Sequence, residues 1–210
     1  LKKAALIYDV SNRAYTGSLA HTFKKKLHER GGTISVEEAF NAKENPDLLE
    51  LARRVARGRP QALFVIAGAV DSAMFCQQVR KVGLSAPLYI AEWSGTNEFL
   101  KAGGRAVEGV YVVQHFYGNS VHPPFVSFKQ AYVKRFGESP SFAATYSYEA
   151  VMMIVEALRK NPDPIHIKDT IIAIGKFDGL LGPVTIDRYG DPERIYFVMQ
   201  VRDNQFKLSE

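Results

Sequence analysis

A chain of 210 residues with 46% hydrophobic and 23% charged residues has ordinary globular composition, which excludes wholesale disorder and fibrous repeats. Its 27 Lys and Arg against 22 Asp and Glu leave a net charge of only +5, and a single cysteine, Cys76, excludes an internal disulfide and any multi-thiolate metal site. The longest apolar runs are strand-sized, far short of the ~20 residues of a membrane span. No signal peptide or lipidation motif is visible, and the chain starts at Leu1 almost inside a strand, so a fragment or processed form is expected. The basic clusters Lys24-Lys25-Lys26, Arg53-Arg54 with Arg57 and Arg59, and Arg80-Lys81 each fall on a predicted helix whose other face is apolar. They read as solvated helix faces. Without interleaved stacking aromatics or a recognisable module, no nucleic-acid partner is expected.

Taken in chain order, Ala4-Ala5-Leu6-Ile7-Tyr8 is an apolar run that predicts a buried strand. Turn and cap formers Asp9, Ser11 and Asn12 follow, then a helix over about 14–30 with Tyr15, Leu19, Phe23 and Leu27 on one stripe. Gly31-Gly32 ends it, since glycine accepts the left-handed conformation common at helix C-termini. A strand near 33–38 and a helix near 46–57, with Pro46 in its first turn, come next. Ala62-Leu63-Phe64-Val65-Ile66 is the clearest buried strand, followed by a helix over 71–82 that stops at Gly83. Strands at 88–91 and 109–114 flank a short helix near 96–102. Beyond residue 120 helices are predicted over 124–136, 143–160 and 167–174. The tail, 182–208, reads as antiparallel strands, with turns at Tyr189-Gly190-Asp191 and Asp203-Asn204.

Alternating strands and helices with short connections imply parallel strands joined by right-handed crossovers. Strands apolar on both faces require helices on each side. The fold class is therefore α/β: a Rossmann-like parallel sheet sandwiched by helices, followed by C-terminal helices and antiparallel strands.

Searches for catalytic motifs return nothing. There is no phosphate-binding G-x-x-x-x-G-K-[ST], no G-x-G-x-x-G, no H-E-x-x-H and no G-x-S-x-G, and the five histidines are scattered. No cofactor is implied. In an open α/β sheet, ligands bind beyond the carboxyl ends of the strands. There the first strand is followed by Asp9, Ser11, Asn12, Tyr15 and Thr16, the third by Ala67, Gly68, Ala69 and Asp71, and the fourth by Glu92, Trp93, Ser94 and Thr96. Ser11 or Asn12 reads as a helix N-cap and Asp71 as a cap or first-turn acid, with ligand contact the alternative for each. Trp93 suits packing or a ligand equally. Glu92 follows an apolar strand where an acid has no structural task, which makes it a ligand candidate.

The stretches 5–16, 77–84, Glu92-Trp93 and Gly103-Gly104-Arg105-Ala106-Val107-Glu108-Gly109-Val110 resemble the type I periplasmic solute-binding proteins, above all the branched-chain amino-acid receptors of ABC importers. Phe128…Tyr132…Arg135-Phe136-Gly137…Pro140, Tyr148-Glu149-Ala150 and Phe177-Asp178-Gly179…Ile186-Asp187…Gly190-Asp191 are similar to that family's later helices and strands. The resemblance covers essentially the whole chain. It implies two lobes that close on a small ligand about a hinge, with residues 1–117 forming the second lobe, 118–175 a helical segment belonging to the first, and 176–210 strands at the hinge and second lobe. Most of the first lobe, which holds the ligand's carboxylate in the family, would lie outside this chain.

By resemblance, Tyr15 is the aromatic that covers the ligand on closure, Glu92 receives the α-ammonium, Ala69 lines the pocket, and Trp93 and the 142–148 stretch contribute to the side-chain pocket. The implied partners are a small ligand, an amino acid or related polar molecule, and a membrane ABC permease. The implied location is periplasmic or extracellular, with any lipid anchor carried by a leader outside this stretch. A sensory ectodomain of the same fold is the alternative, and a cytoplasmic α/β enzyme a more distant one.

Overall fold

The computed structural model describes residues 2–209. It divides into two compact units, residues 1–114 with 198–210 and residues 115–197.

The first unit begins with β1 (Lys3–Asp9), α1 (Arg13–Glu29), β2 (Thr33–Phe40), α2 (Leu48–Arg57), β3 (Ala62–Ile66) and α3 (Ala69–Lys81). β4 (Leu88–Ile90), α4 (Asn97–Gly103) and β5 (Tyr111–Gln114) follow. β1 pairs in parallel with β2 and β3, β3 with β4, and β4 with β5. The resulting order β2-β1-β3-β4-β5 reverses direction between β1 and β3. That reversal leaves a crevice at the carboxyl edge of the sheet, between the connections that leave β1 and β3 on opposite sides. β9 (Phe197–Arg202) and β10 (Gln205–Leu208) extend the sheet beyond β5 as an antiparallel hairpin. Its two-residue turn, Asp203-Asn204, places both residues at positive φ, a conformation that Asp and Asn tolerate best among residues with side chains.

Residues 4–7 of β1 and residues 62, 63, 65 and 66 of β3 are buried. On one face Leu6 and Ile66, with Tyr8, Ile34 and Phe64 at their margin, pack against Leu19, Ala20 and Phe23 of α1. On the other, α2, α3 and α4 lie side by side, with Leu51, Ala52, Val55, Phe75, Cys76 and Val79 buried beneath them.

Some boundaries differ from the sequence reading for local reasons. α2 starts at Leu48 because the Asp47 side chain accepts the Glu50 N–H at 2.9 Å, leaving Pro46 outside the helix. α3 starts at Ala69, two residues earlier than predicted, because Gly68 supplies the extended backbone of an N-cap. Gly31 takes φ +73° at the end of α1, as expected of a helix-ending glycine. Tyr15 does not join the core stripe of α1. It stands 38% exposed in the first turn, at the sheet edge.

The second unit contains α5 (Pro123–Phe136), α6 (Phe142–Lys160), α7 (Ile167–Ile174) and an antiparallel sheet of β6 (Lys176–Gly179), β7 (Gly182–Ile186) and β8 (Pro192–Glu193). β8 is two residues long and its Pro192 gave no strand signal in the sequence. Phe125, Leu180 and Leu181 form the apolar centre, bordered by Phe116 and Phe128. Beside them lies a buried ion pair. Glu149 of α6, 3% exposed, accepts the Leu180 N–H at 2.6 Å with one oxygen and the Arg194 guanidinium at 2.6 Å with the other. The same guanidinium stacks over Tyr146, 4.9 Å from the ring centroid. α6 therefore clamps the β6–β7 connection and the segment after β8 through one carboxylate. Removing one partner from a buried pair leaves an uncompensated charge. Arg194→Ala is expected to destabilise the protein by about 3 kcal/mol, measured by urea unfolding.

Candidate functional site

Three segments meet at the carboxyl edge of β1, β3 and β4, and buried polar groups fix each of them. The first follows β1. Asp9, 3% exposed, accepts from the Ser11 N–H at 2.9 Å, the Ser11 hydroxyl at 2.6 Å and the Ala42 N–H at 3.0 Å. One carboxylate thus joins the loop leaving β1 to the loop leaving β2. Burial opposes its ionisation, but the Ser11 side chain, the two backbone donors and the Lys43 charge outweigh it, holding the carboxyl below its ordinary range. Thr16 donates to the carbonyl of Asp9 and lies 3.2 Å from that of Asn12, closing the first turn of α1. Of the two cap candidates that the sequence suggested, Asn12 does occupy the N-cap position of α1, without a side-chain bond. Asp9 caps the separate turn over residues 10–12 by accepting the Ser11 N–H.

The second segment is the start of α3. Gly68 and Ala69 are half-buried, and their small side chains leave the backbone open to the edge. Asp71 lies in the first turn, where burial and then the charge of Asp9 push its carboxyl up from the usual value. The two acids of this corner are shifted in opposite senses because Asp9 gathers three donors, whereas a single backbone N–H opposes the rise at Asp71.

The third segment follows β4. Ala91 donates to Val65 at 3.1 Å, and Glu92–Ser94 then form one 3-10 turn closed by bonds from Ser94 N–H to Ala91 and from Gly95 N–H to Glu92. Fully buried Ser94 donates its hydroxyl to the Ala67 carbonyl at 2.7 Å and lies 3.0 Å from the hydroxyl of equally buried Ser72. Gly95 backs the turn where a Cβ would stand 2.7 Å from Gln114 Oε1, so a larger residue there would displace the Gln114 side chain.

These supports bring three of the four predicted residues together. The rings of Tyr15 and Trp93 meet edge to face, with centroids 5.5 Å apart and planes at 88°. Burial pushes the Tyr15 phenol up and the nearby Glu92 carboxylate adds to the effect, while a bond from the Trp93 backbone opposes it. The phenol oxygen therefore meets the Trp93 backbone within the field of Glu92, and remains protonated and neutral at physiological pH. Trp93 is 39% exposed, so the pair is not closed core packing. Ala69 shares the edge with these three residues as the first residue of the neighbouring helix.

The arrangement offers one carboxylate and two aromatic faces. That set suits a cation carried on an apolar body. Among the described residues no group of three or more His, Cys, Asp or Glu side chains is placed to hold a metal ion. Burial pushes the Cys76 thiol up to about 12, so it is not a nucleophile at neutral pH. Among the described residues no helix is long and apolar enough to cross a membrane.

Ser72 carried no weight in the sequence reading. The signal was present in its spacing: residues 72, 75, 76 and 79 form the i, i+3, i+4, i+7 stripe of α3 that is buried, so a hydroxyl there needs a partner.

The sequence model described as "Periplasmic binding protein" matches residues 1–205. The chain belongs to that family. A Leu/Ile/Val-binding protein homologue of Brucella suis is 27% identical over 202 residues, an alignment that covers 94% of this chain and 52% of the relative. A leucine-binding protein of Thermotoga maritima superposes with a TM-score of 0.90 at 22% identity, over 100% of this chain and 60% of that one. A branched-chain amino acid transporter substrate-binding protein of Streptococcus pneumoniae, solved with isoleucine, superposes with a TM-score of 0.85 at 19% identity, over 98% of this chain and 58% of that one. The chain spans about half the length of the sequence relatives it matches. The mostly parallel sheet flanked by helices is the fold that these periplasmic binding proteins share.

Within this periplasmic binding protein the corner acids make a pH-dependent prediction. With Asp71 raised above its unfolded value, wild-type stability from this group is complete below the ordinary carboxylate range and falls as pH rises through the folded pKa. Asp71→Asn is therefore expected to stabilise the protein at pH 7, by about 0.5 kcal/mol or less. The gain should vanish below the ordinary Asp range, as followed by urea midpoints across pH.

Proposed function

We propose that this chain is the ligand-binding part of an extracytoplasmic solute-binding protein that captures an amino acid and presents it to an ABC permease. The observation that carries the reading is the grouping of Glu92 with the Tyr15–Trp93 pair at the crevice edge of the sheet. An α-ammonium leaving water needs an anionic acceptor, and a hydrogen bond to a charged group contributes about 1.5–3 kcal/mol net. Glu92 is that acceptor. Tyr15 and Trp93 supply rigid apolar surface for the rest of the ligand at small entropic cost, and Ala69 keeps the start of α3 clear for it. The helices of the second unit belong, in this reading, to the opposite lobe of the receptor, which accounts for the exposure of Tyr148, Val151 and Met152 along α6. Closure of two lobes on the ligand turns occupancy into a shape that a membrane partner can recognise.

Support for an amino-acid ligand comes from the relatives, whose names specify leucine, isoleucine and valine. Support for a location outside the cytoplasm comes from the family description.

The test is calorimetric titration of the full-length protein with L-leucine. Glu92→Gln keeps the shape of the side chain and removes the charge, and is expected to raise Kd at least tenfold, about 1.4 kcal/mol. An unchanged Kd would remove Glu92 from the site and the reading with it.

A further inference from the structure

We infer that Ser72 and Ser94 are a positioning pair that aims Glu92 and Trp93 at the ligand; the inference rests on the reading of that edge given above. Both hydroxyls are fully buried. A carbonyl can only accept, so Ser94 spends its single proton on Ala67, and the 3.0 Å contact between the two hydroxyls must be donated by Ser72. The result is a one-way relay from the first turn of α3, through the turn after β4, to the end of β3. A helical serine commonly turns its hydroxyl back to the carbonyl four residues earlier. Ser72 instead donates outward to the turn that carries Glu92.

That turn needs an anchor. It is three residues long, and its own bonds to Ala91 and Glu92 close it without fixing its direction. Gln114 packs beneath Gly95 and sets its height. Ser94 is the lateral tie, two residues beyond Glu92 and adjacent to Trp93. Tyr15 depends on the same tie, because its ring rests on Trp93 and its phenol oxygen meets the Trp93 backbone. Losing Ser94 leaves Ser72 without an acceptor and Ala67 without a donor, in a place water does not reach. The turn then loses its tie to α3 and to the end of β3, and the carboxylate and both rings shift with it.

Trp93 is the only tryptophan of the chain, so its fluorescence reports directly on the turn. In this 210-residue chain without ligand, Ser94→Ala is expected to move Trp93 emission to longer wavelength and lower its anisotropy. Ser72→Ala should do the same to a smaller extent, and the double variant no more than Ser94→Ala. In the full-length protein, Ser94→Ala should raise Kd for L-leucine about tenfold, and this loss should shrink in a Glu92→Gln background, where only the displacement of the two rings still counts. Should Ser94→Ala not fold, Ser72→Ala keeps the Ser94–Ala67 bond and supplies both readouts. Unchanged Trp93 emission in both variants, or an undiminished effect of Ser94→Ala beside Glu92→Gln, overturns the inference. Failure of the ligand reading is distinct: Glu92→Gln alone would then leave Kd unchanged, while Trp93 emission still judges the anchoring.

Discussion

A strand buried on both faces has no place along its length for a polar side chain, and β1 and β3 are such strands. Every residue that could meet a polar ligand is therefore displaced to the strand ends. Parallel pairing then puts all the carboxyl ends on one edge, and the reversal of strand order between β1 and β3 parts the connections there. Tyr15, Ala69, Glu92 and Trp93 are collected by this constraint although 77 positions separate Tyr15 from Glu92. None is close to another in sequence except the last two. The sheet, and not any local motif, makes them neighbours.

Displacing chemistry to loops creates a second problem, since short loops with few apolar contacts do not hold a side chain in one direction. The molecule answers it with buried polar groups at the root of each loop. Asp9 gathers three donors from two loops, and Ser94 and Ser72 join the turn after β4 to α3 and β3. A buried carboxylate and buried hydroxyls lower stability if left unpaired, by about 1–3 kcal/mol each. Here they are satisfied, and among the described residues no buried side-chain polar atom lacks a partner. The division of labour is plain in the electrostatics as well. Asp9, with three donors, is held ionised and structural, whereas at Asp71 nearby burial and its neighbour's charge outweigh a single backbone donor.

The parallel sheet could be read from the sequence because its signal is dense: runs such as 62–66 and the glycine stops at 31 and 83 are local, and each element's pattern agreed with its neighbours. The edge residues followed from the topology, so Glu92 and Trp93 could be placed from the end of an apolar strand alone. What could not be read was pairing. Ser11 and Asn12 are good cap formers by type, and Asn12 does sit at the N-cap of α1, yet the side-chain bonds there come from Asp9, because a buried strand end brings its carboxylate to the amides of two loops at once. The loop after β2 that supplies one of those amides lies 33 residues away in sequence. Helix starts moved for the same reason, since Asp47 and Gly68 compete for boundaries that periodicity alone leaves open. Ser72 was legible only as a misfit on an apolar stripe, and its partner 22 residues on was not legible at all.

The two units use charge in contrasting ways, and the contrast bears on the ligand reading proposed above. In the second unit the buried carboxylate, Glu149, is consumed: a backbone amide takes one oxygen, Arg194 takes the other, and Tyr146 stacks on the guanidinium. Such an ion pair is fixed by its surroundings and has nothing left to offer a solute. In the first unit the structural acid, Asp9, is saturated in the same manner, but Glu92 stands further out, half-buried at an edge with two partly exposed rings beside it. A carboxylate in that position keeps part of its hydration while the site is open. In the reading proposed above, a cationic group takes the place of that water on binding, since desolvating an ionised group without a counter-charge is unfavourable by several kcal/mol. The same penalty works for selectivity. In the reading proposed above, an apolar ligand without a cationic nitrogen would add to the desolvation of Glu92 and bring no charge to it, which disfavours such a ligand beside one that carries an ammonium.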